Sequence, residues 1–158
     1  MEADTCRPLR KNSVKRYASA PRTTTMERTI DGFKPNGYPD VAPYLVVESA
    51  PRLLEFLKNA FDATERRRET DLEGSIRHVE VQIGDAIVMV GQGSDGMEPF
   101  PSMVHVYVPD VDDAYQRALG TGAVAVREPL QTEGETDRRG LFEDPLGNTW
   151  AVSTQVDS

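Results

Sequence analysis

One order of elements occurs twice along this chain, and that repetition constrains the fold more than any other feature. Tyr44-Leu45-Val46-Val47 is strand-like and leads to Ser49, a favourable N-cap, with Pro51 in the first helical turn. Leu53, Leu54, Leu57 and Phe61 follow at helical spacing. A polar strand from Thr64 to Thr70, an alternating strand from Ile76 to Ile83 and an apolar strand from Ala86 to Val90 complete a β-α-β-β-β unit, with turns at Glu73-Gly74 and Gly84-Asp85. The second half repeats the order. Met103 to Val108 alternates, and Asp110 caps a helix with Asp113 at the capping-box position. Val111, Ala114, Tyr115, Ala118 and Leu119 form that helix's apolar face, and Gly120 and Gly122 end it. Strands follow at 123–127, 140–143 and 148–154, with a turn at Asp144-Pro145-Leu146-Gly147. One offset of 61 residues pairs Val47 with Val108, Ser49 with Asp110 and Leu53 with Ala114. Two unrelated strand–helix pairs would not keep one offset across strand, cap and helix, so the chain reads as an internal duplication.

Two halves of about 60 residues are each too small to bury a sufficient core alone, so they are expected to share one domain. The predicted organisation is a basic polar tail over 1–37 and one domain over 38–156, with module one at 40–92 and module two at 102–156. The 158 residues carry 18 Lys+Arg and 26 Asp+Glu, a formal net charge of −8. That balance argues against a nucleic-acid partner, which needs a basic surface. The charge is uneven. Residues 1–28 hold seven basic groups (Arg7, Arg10, Lys11, Lys15, Arg16, Arg22, Arg28) against Glu2, Asp4 and Glu27. That segment lacks hydrophobic periodicity and reads as a flexible tail. A natural start at Met26 and an organelle transit peptide are the competing readings, and the early Glu2 and Asp4 count against the second. Without a long apolar run, neither a signal peptide nor a membrane span is expected, and the chain is expected in the cytoplasm. Cys6 is the sole cysteine, which excludes an internal disulfide and a Cys-rich zinc site, and no role is assigned to it.

Period-two alternation sorts the strand residues into two faces. Val79, Val81 and Ile83 oppose His78, Glu80 and Gln82; Val104, Val106 and Val108 oppose Met103, His105 and Tyr107. One side of each strand suits covering by helices. The other mixes apolar, aromatic and polar groups, the composition of a concave ligand surface.

The strings Pro43-Tyr44-Leu45-Val46-Val47, His78-Val79-Glu80-Val81-Gln82-Ile83-Gly84-Asp85-Ala86, Val106-Tyr107-Val108-Pro109-Asp110-Val111-Asp112 and Glu143-Asp144-Pro145-Leu146-Gly147-Asn148-Thr149-Trp150 carry a resemblance. They look like the paired βαβββ modules of the glyoxalase / bleomycin-resistance / extradiol-dioxygenase (vicinal oxygen chelate) superfamily, and are similar to its PhnB-like branch. The resemblance covers about 38–156. It implies an α+β fold in which two tandem modules form a U-shaped, mostly antiparallel eight-stranded sheet around a cavity, helices outside. It also implies homodimers, often with modules paired across chains. The superfamily's enzymes hold a divalent metal on four strand positions, which fall here on Ala42, Met89, Met103 and Ala151. Alanine has no ligand atom and a thioether favours soft metals, so no metal or other cofactor is expected. A standard glyoxalase I or extradiol dioxygenase mechanism is excluded on the same ground.

The candidate ligand-binding residues are Tyr44, His78, Glu80, Gln82, Met89, Met103, His105 and Tyr107. Tyr44 and Tyr107 can stack on a flat ligand or pack as core, and the methionines supply a deformable lining. His78, Glu80 and His105 are the catalytic candidates. They can act as acid–base groups, as a relocated divalent-metal site, or as satisfied polar residues in a wet cleft. Trp150 opposes the cavity face and reads as core. Arg66-Arg67-Arg68 reads as a solvated edge, Asp137-Arg138-Arg139 as the approach to a strand at the cavity mouth, and Asp144 as a turn residue. The leading expectation is a homodimeric module that binds a small organic ligand without metal. The alternative is an enzyme of lyase, isomerase or oxygenase type using His78, Glu80 and His105.

Overall fold

The computed structural model describes residues 32–156; the basic segment 1–28, Cys6 and Met26 lie outside them. The element order is β1 (Tyr44–Val47), α1 (Ala50–Phe61), β2 (Thr64–Thr70), β3 (Ile76–Ile83), β4 (Ala86–Gln92), then β5 (Met103–Tyr107), α2 (Val111–Gly120), β6 (Val124–Gln131), β7 (Asp137–Glu143) and β8 (Thr149–Gln155). The α+β class and the two βαβββ units are as the sequence predicts. Among the described residues no helix is long and apolar enough to cross a membrane.

Within the chain the eight strands form two four-stranded sheets with matching orders, β1-β4-β3-β2 and β5-β8-β7-β6, and not one continuous sheet. In each sheet the first strand pairs parallel with the last, and the other pairings are antiparallel. The duplication extends to register. Tyr44, Met89, Glu80 and Arg67 lie in one cross-strand row of the first sheet, and His105, Ala151, Leu141 and Arg127 in the equivalent row of the second. A register shift between Glu65 and Arg67 in β2 recurs between Ala125 and Arg127 in β6. A bulge bends its strand and re-aims the side chains beyond it, so both modules inherit the same bend at the same place.

Both helices bury their apolar stripes on the sheet faces that the alternation assigns to them. Leu53, Leu54, Leu57 and Phe61 of α1 and Val111, Ala114, Tyr115 and Ala118 of α2 are buried. The two helix-covered sides then meet. Phe56 lies edge-on to Phe142 of β7 at 6.0 Å, and Phe61 contacts Trp150 of β8 at 5.1 Å between ring centroids. The chain is thus layered sheet, helices, sheet, with one continuous core, and the opposite sheet faces point away from it.

Two local details differ from expectation. Ser49 occupies the N-cap of α1 but its side chain caps nothing; the Ala50 amide donates instead to Gln92 Oε1 at 2.9 Å. The end of β4 therefore satisfies one of the free N–H groups at the start of α1. Strands β6 and β7 are longer than the sequence suggests, because Asp137, Arg138 and Arg139 pair with Gln155, Thr154 and Ser153 of β8, and Arg138 and Arg139 also pair with Gln131 and Leu130 of β6. Asp110 caps α2 as expected, accepting from the Asp113 amide at 3.0 Å.

Asp144 anchors the final turn. Its buried carboxylate accepts from the amides of Leu146 and Asn148, from Asn148 Nδ2 and from Trp150 Nε1 at 2.8–3.0 Å. Asn148 Oδ1 in turn accepts from the Ser102 amide, tying the turn to the start of β5. Removing the carboxylate leaves the indole N–H and the Asn148 amide without their acceptor in a dry site. Asp144→Ala is expected to destabilise the fold by about 3 kcal/mol, and Asp144→Asn by less, measured by urea denaturation.

Candidate functional site

The outward face of the first sheet carries Tyr44, Val46, Met89, Gly91, His78, Glu80, Gln82 and Arg67, placed together by the ladder register. Glu80 is only 3 % exposed although it faces this side. Its carboxylate is held from three directions. Tyr38, in the loop before β1, donates to Oε2. His78 Nε2 lies 3.2 Å from Oε1. The Arg67 guanidinium stands 3.8 Å from Oε1 and also pairs with Glu69. The other ring nitrogen of His78, Nδ1, is 3.2 Å from the Tyr44 hydroxyl, and the two rings stack at 5.5 Å. Next along β3, Gln82 Oε1 accepts from Arg66 at 3.0 Å.

Gly91 makes this arrangement sterically feasible. It is the cross-strand partner of His78, and a Cβ there would sit 2.7 Å from the Tyr44 hydroxyl oxygen and 2.8 Å from its Cε1. Only a residue without a side chain lets the Tyr44 ring lie across β4 onto His78.

The outward face of the second sheet carries Met103, His105, Tyr107, Ala151, Ser153, Arg139 and Asp137. Tyr107 donates to Asp137 Oδ2 at 2.8 Å, and Arg139 bonds both Asp137 Oδ2 and Ser153 Oγ. The His105 and Tyr107 rings lie 4.9 Å apart. The hydrogen bond to the Asp137 carboxylate, with that charge behind it, raises the Tyr107 phenol above the ordinary tyrosine range. Asp137→Asn is expected to bring Tyr107 back toward that range, read by ultraviolet difference titration against Tyr107→Phe.

Each candidate ligand-binding residue lies on one of these two faces. His78 and Glu80 meet directly, and Tyr44 joins them. Gln82 and Met89 share their sheet face. Met103, His105 and Tyr107 lie on the other sheet. The register makes His105 the counterpart of Tyr44, and Tyr107 the counterpart of Val46, so the two tyrosines are not equivalent positions. Trp150 is fully buried against the helices, as core. Sequence reasoning overlooked Tyr38 and Ser153, and treated Arg67 as a solvated edge residue when it reaches Glu80. The period-two pairing of Arg67 with Glu80 across β2 and β3 was the signal available for that contact.

The four positions expected to bear metal carry Ala42, Met89, Met103 and Ala151, a set with no oxygen or nitrogen side-chain donor, and Ala42 lies in the loop before β1 and not on a strand as expected. These residues do not fit the divalent ions that prefer such donors. Among the described residues no group of three or more His, Cys, Asp or Glu side chains converges to hold a metal ion. Within one chain, then, His105 does not join His78 and Glu80 in such a cluster.

A duplicated βαβββ unit with mixed polar and apolar outer faces defines a class of paired-module folds. The model of the Glyoxalase/Bleomycin resistance protein/Dioxygenase superfamily matches residues 20–152, and the chain belongs to that superfamily. It is 33 % identical over 132 residues to the uncharacterized protein Mb0911c of Mycobacterium bovis, covering 77 % of this chain and 86 % of that one. It has the same identity, over 77 % of each chain, to the uncharacterized protein Rv0887c of Mycobacterium tuberculosis. Among solved structures it is similar to TioX from Micromonospora sp. ML1, with a TM-score of 0.63 and 25 % identity over 73 % of this chain and 98 % of that one. The fold is also that of the fosfomycin resistance protein FosX from Mesorhizobium loti, with a TM-score of 0.55 and 22 % identity over 73 % and 91 % of the two chains.

Proposed function

We propose that this protein is a metal-free small-molecule-binding module whose cavity is completed by a second copy of the chain. The observation that carries the reading is the outward orientation of both candidate faces. Met103 is 67 % exposed, Tyr107 65 %, Val124 62 % and Leu130 61 %, and the register puts all four on one side of the second sheet. An apolar face of that extent on a soluble domain marks a surface that is covered in use. Helix packing inside the chain prevents its own first sheet from providing the cover. A second copy offers a complementary arrangement: the first sheet of one protomer opposite the second sheet of its partner, and the reverse, giving two equivalent cavities under two-fold symmetry.

Such a cavity has an aromatic and thioether lining from Tyr44, Tyr107, Met89 and Met103, with His78, Glu80, His105 and Arg139 as convergent polar groups. That balance suits a flat organic molecule with a few polar substituents. The PhnB-like branch is the affiliation this reading favours.

Analytical ultracentrifugation tests the assembly. The wild-type chain is expected to sediment as a dimer at micromolar concentration, and Met103→Glu, which adds a charge to an exposed strand position, is expected to shift it to monomer with its circular dichroism unchanged. A wild-type monomer would contradict the reading.

A further inference from the structure

The polar cluster on the first sheet is more ordered than a ligand anchor requires. Glu80 accepts from Tyr38 at one oxygen and meets His78 Nε2 at the other. With a carboxylate as acceptor, Nε2 carries the proton, and Nδ1 is left as an acceptor. The group 3.2 Å from Nδ1 is the Tyr44 hydroxyl, which therefore donates to it. A hydroxyl, an imidazole and a buried carboxylate thus stand in series, the order in which a base is activated and oriented by a third group. Exposure rises along the series: Glu80 3 %, Tyr44 42 %. The hydroxyl end is the open one.

We propose that Tyr44 is a general acid–base catalyst, driven by His78 and oriented by Glu80, acting on a flat organic substrate with an acidic C–H bond. The proposal rests on the reading of this face as a ligand cavity. In the forward step the substrate proton passes to the Tyr44 oxygen while the tyrosine's own proton passes to His78 Nδ1. The C–H bonding pair stays on the substrate. The phenol is regenerated as a neutral group, and the imidazolium that forms lies against the Glu80 carboxylate. Run backwards, the same relay delivers a proton to a substrate carbanion. No metal or redox partner is needed. The other charged groups around the relay are Arg67 and Glu69 of β2, which pair with each other, Arg67 also facing Glu80. Gly91 acts as a positioning residue, since only its missing Cβ keeps the Tyr44 oxygen at His78. The second module does not repeat the relay: its equivalent positions hold His105, Arg139 and Leu141. The relay therefore stands on one side of the cavity only.

The test uses 5-nitrobenzisoxazole, a flat aromatic probe whose single C–H is removed by a positioned base. Its N–O bond then breaks with the electron pair going to oxygen, giving a coloured nitrophenolate. The full-length protein is expected to turn it over above buffer. Tyr44→Phe and His78→Ala should each lower the rate by about 10²-fold, and Gly91→Ala should lower it with them. In Gly91→Ala the ring-current shift of Tyr44 on the His78 ring protons should also collapse in NMR spectra, a signature that loss of stability alone does not produce. Tyr44→Phe keeps the ring of a half-exposed residue, so its fold is retained. Equal turnover by wild type and Tyr44→Phe, or none by wild type, would overturn the relay. The binding reading stands or falls separately, on the assembly measured by sedimentation.

Discussion

The aromatic contact between α1 and the second sheet governs the rest of the molecule. Phe56 and Phe61 belong to the first module by sequence, yet they pack on Phe142 and Trp150 of the second. Neither half of about 60 residues could bury enough apolar surface on its own. Joining them through their helices solves that problem and forces both remaining sheet faces outward. The mixed composition of those faces follows from geometry, because they are the only surfaces of the two sheets left for a ligand or a partner.

Within that frame the two modules have diverged in chemistry while keeping their geometry. The rows Tyr44–Met89–Glu80–Arg67 and His105–Ala151–Leu141–Arg127 are equivalent by register, and both sheets bulge at the same position. The first row retains a buried acid with three partners. The second has Leu141 at the place of the acid, and its polar centre lies further along the strands at Tyr107, Asp137, Arg139 and Ser153. Duplication supplied one scaffold twice, and a cavity closed by unlike faces can orient an asymmetric ligand.

Much of this was legible in the sequence. The constant offset between the halves, the alternation of β3 and β5, and the capping box at Asp110 encode the fold through local periodicities. His78 and Glu80 could be placed on one face because they are two residues apart in a strand. The partners that make them a relay could not. Tyr38 reaches Glu80 from a loop, and Tyr44 reaches His78 from a strand that is not its neighbour, by crossing over Gly91. Those contacts depend on sheet order and on a missing Cβ, which no periodicity records. The start of α1 shows the same limit: the Ser49 cap position was readable, but the Gln92 side chain that accepts from the Ala50 amide lies 42 residues beyond Ala50.

The central claim is that the two outward faces of this chain meet those of a second copy around a cavity that works without metal. Native mass spectrometry of the full-length protein, purified from metal-replete medium, tests it most directly, because one spectrum reports chain number, metal and retained ligand together. The account predicts a two-chain species with no stoichiometric metal. A single-chain species, or a dimer carrying one divalent ion per chain, would contradict it.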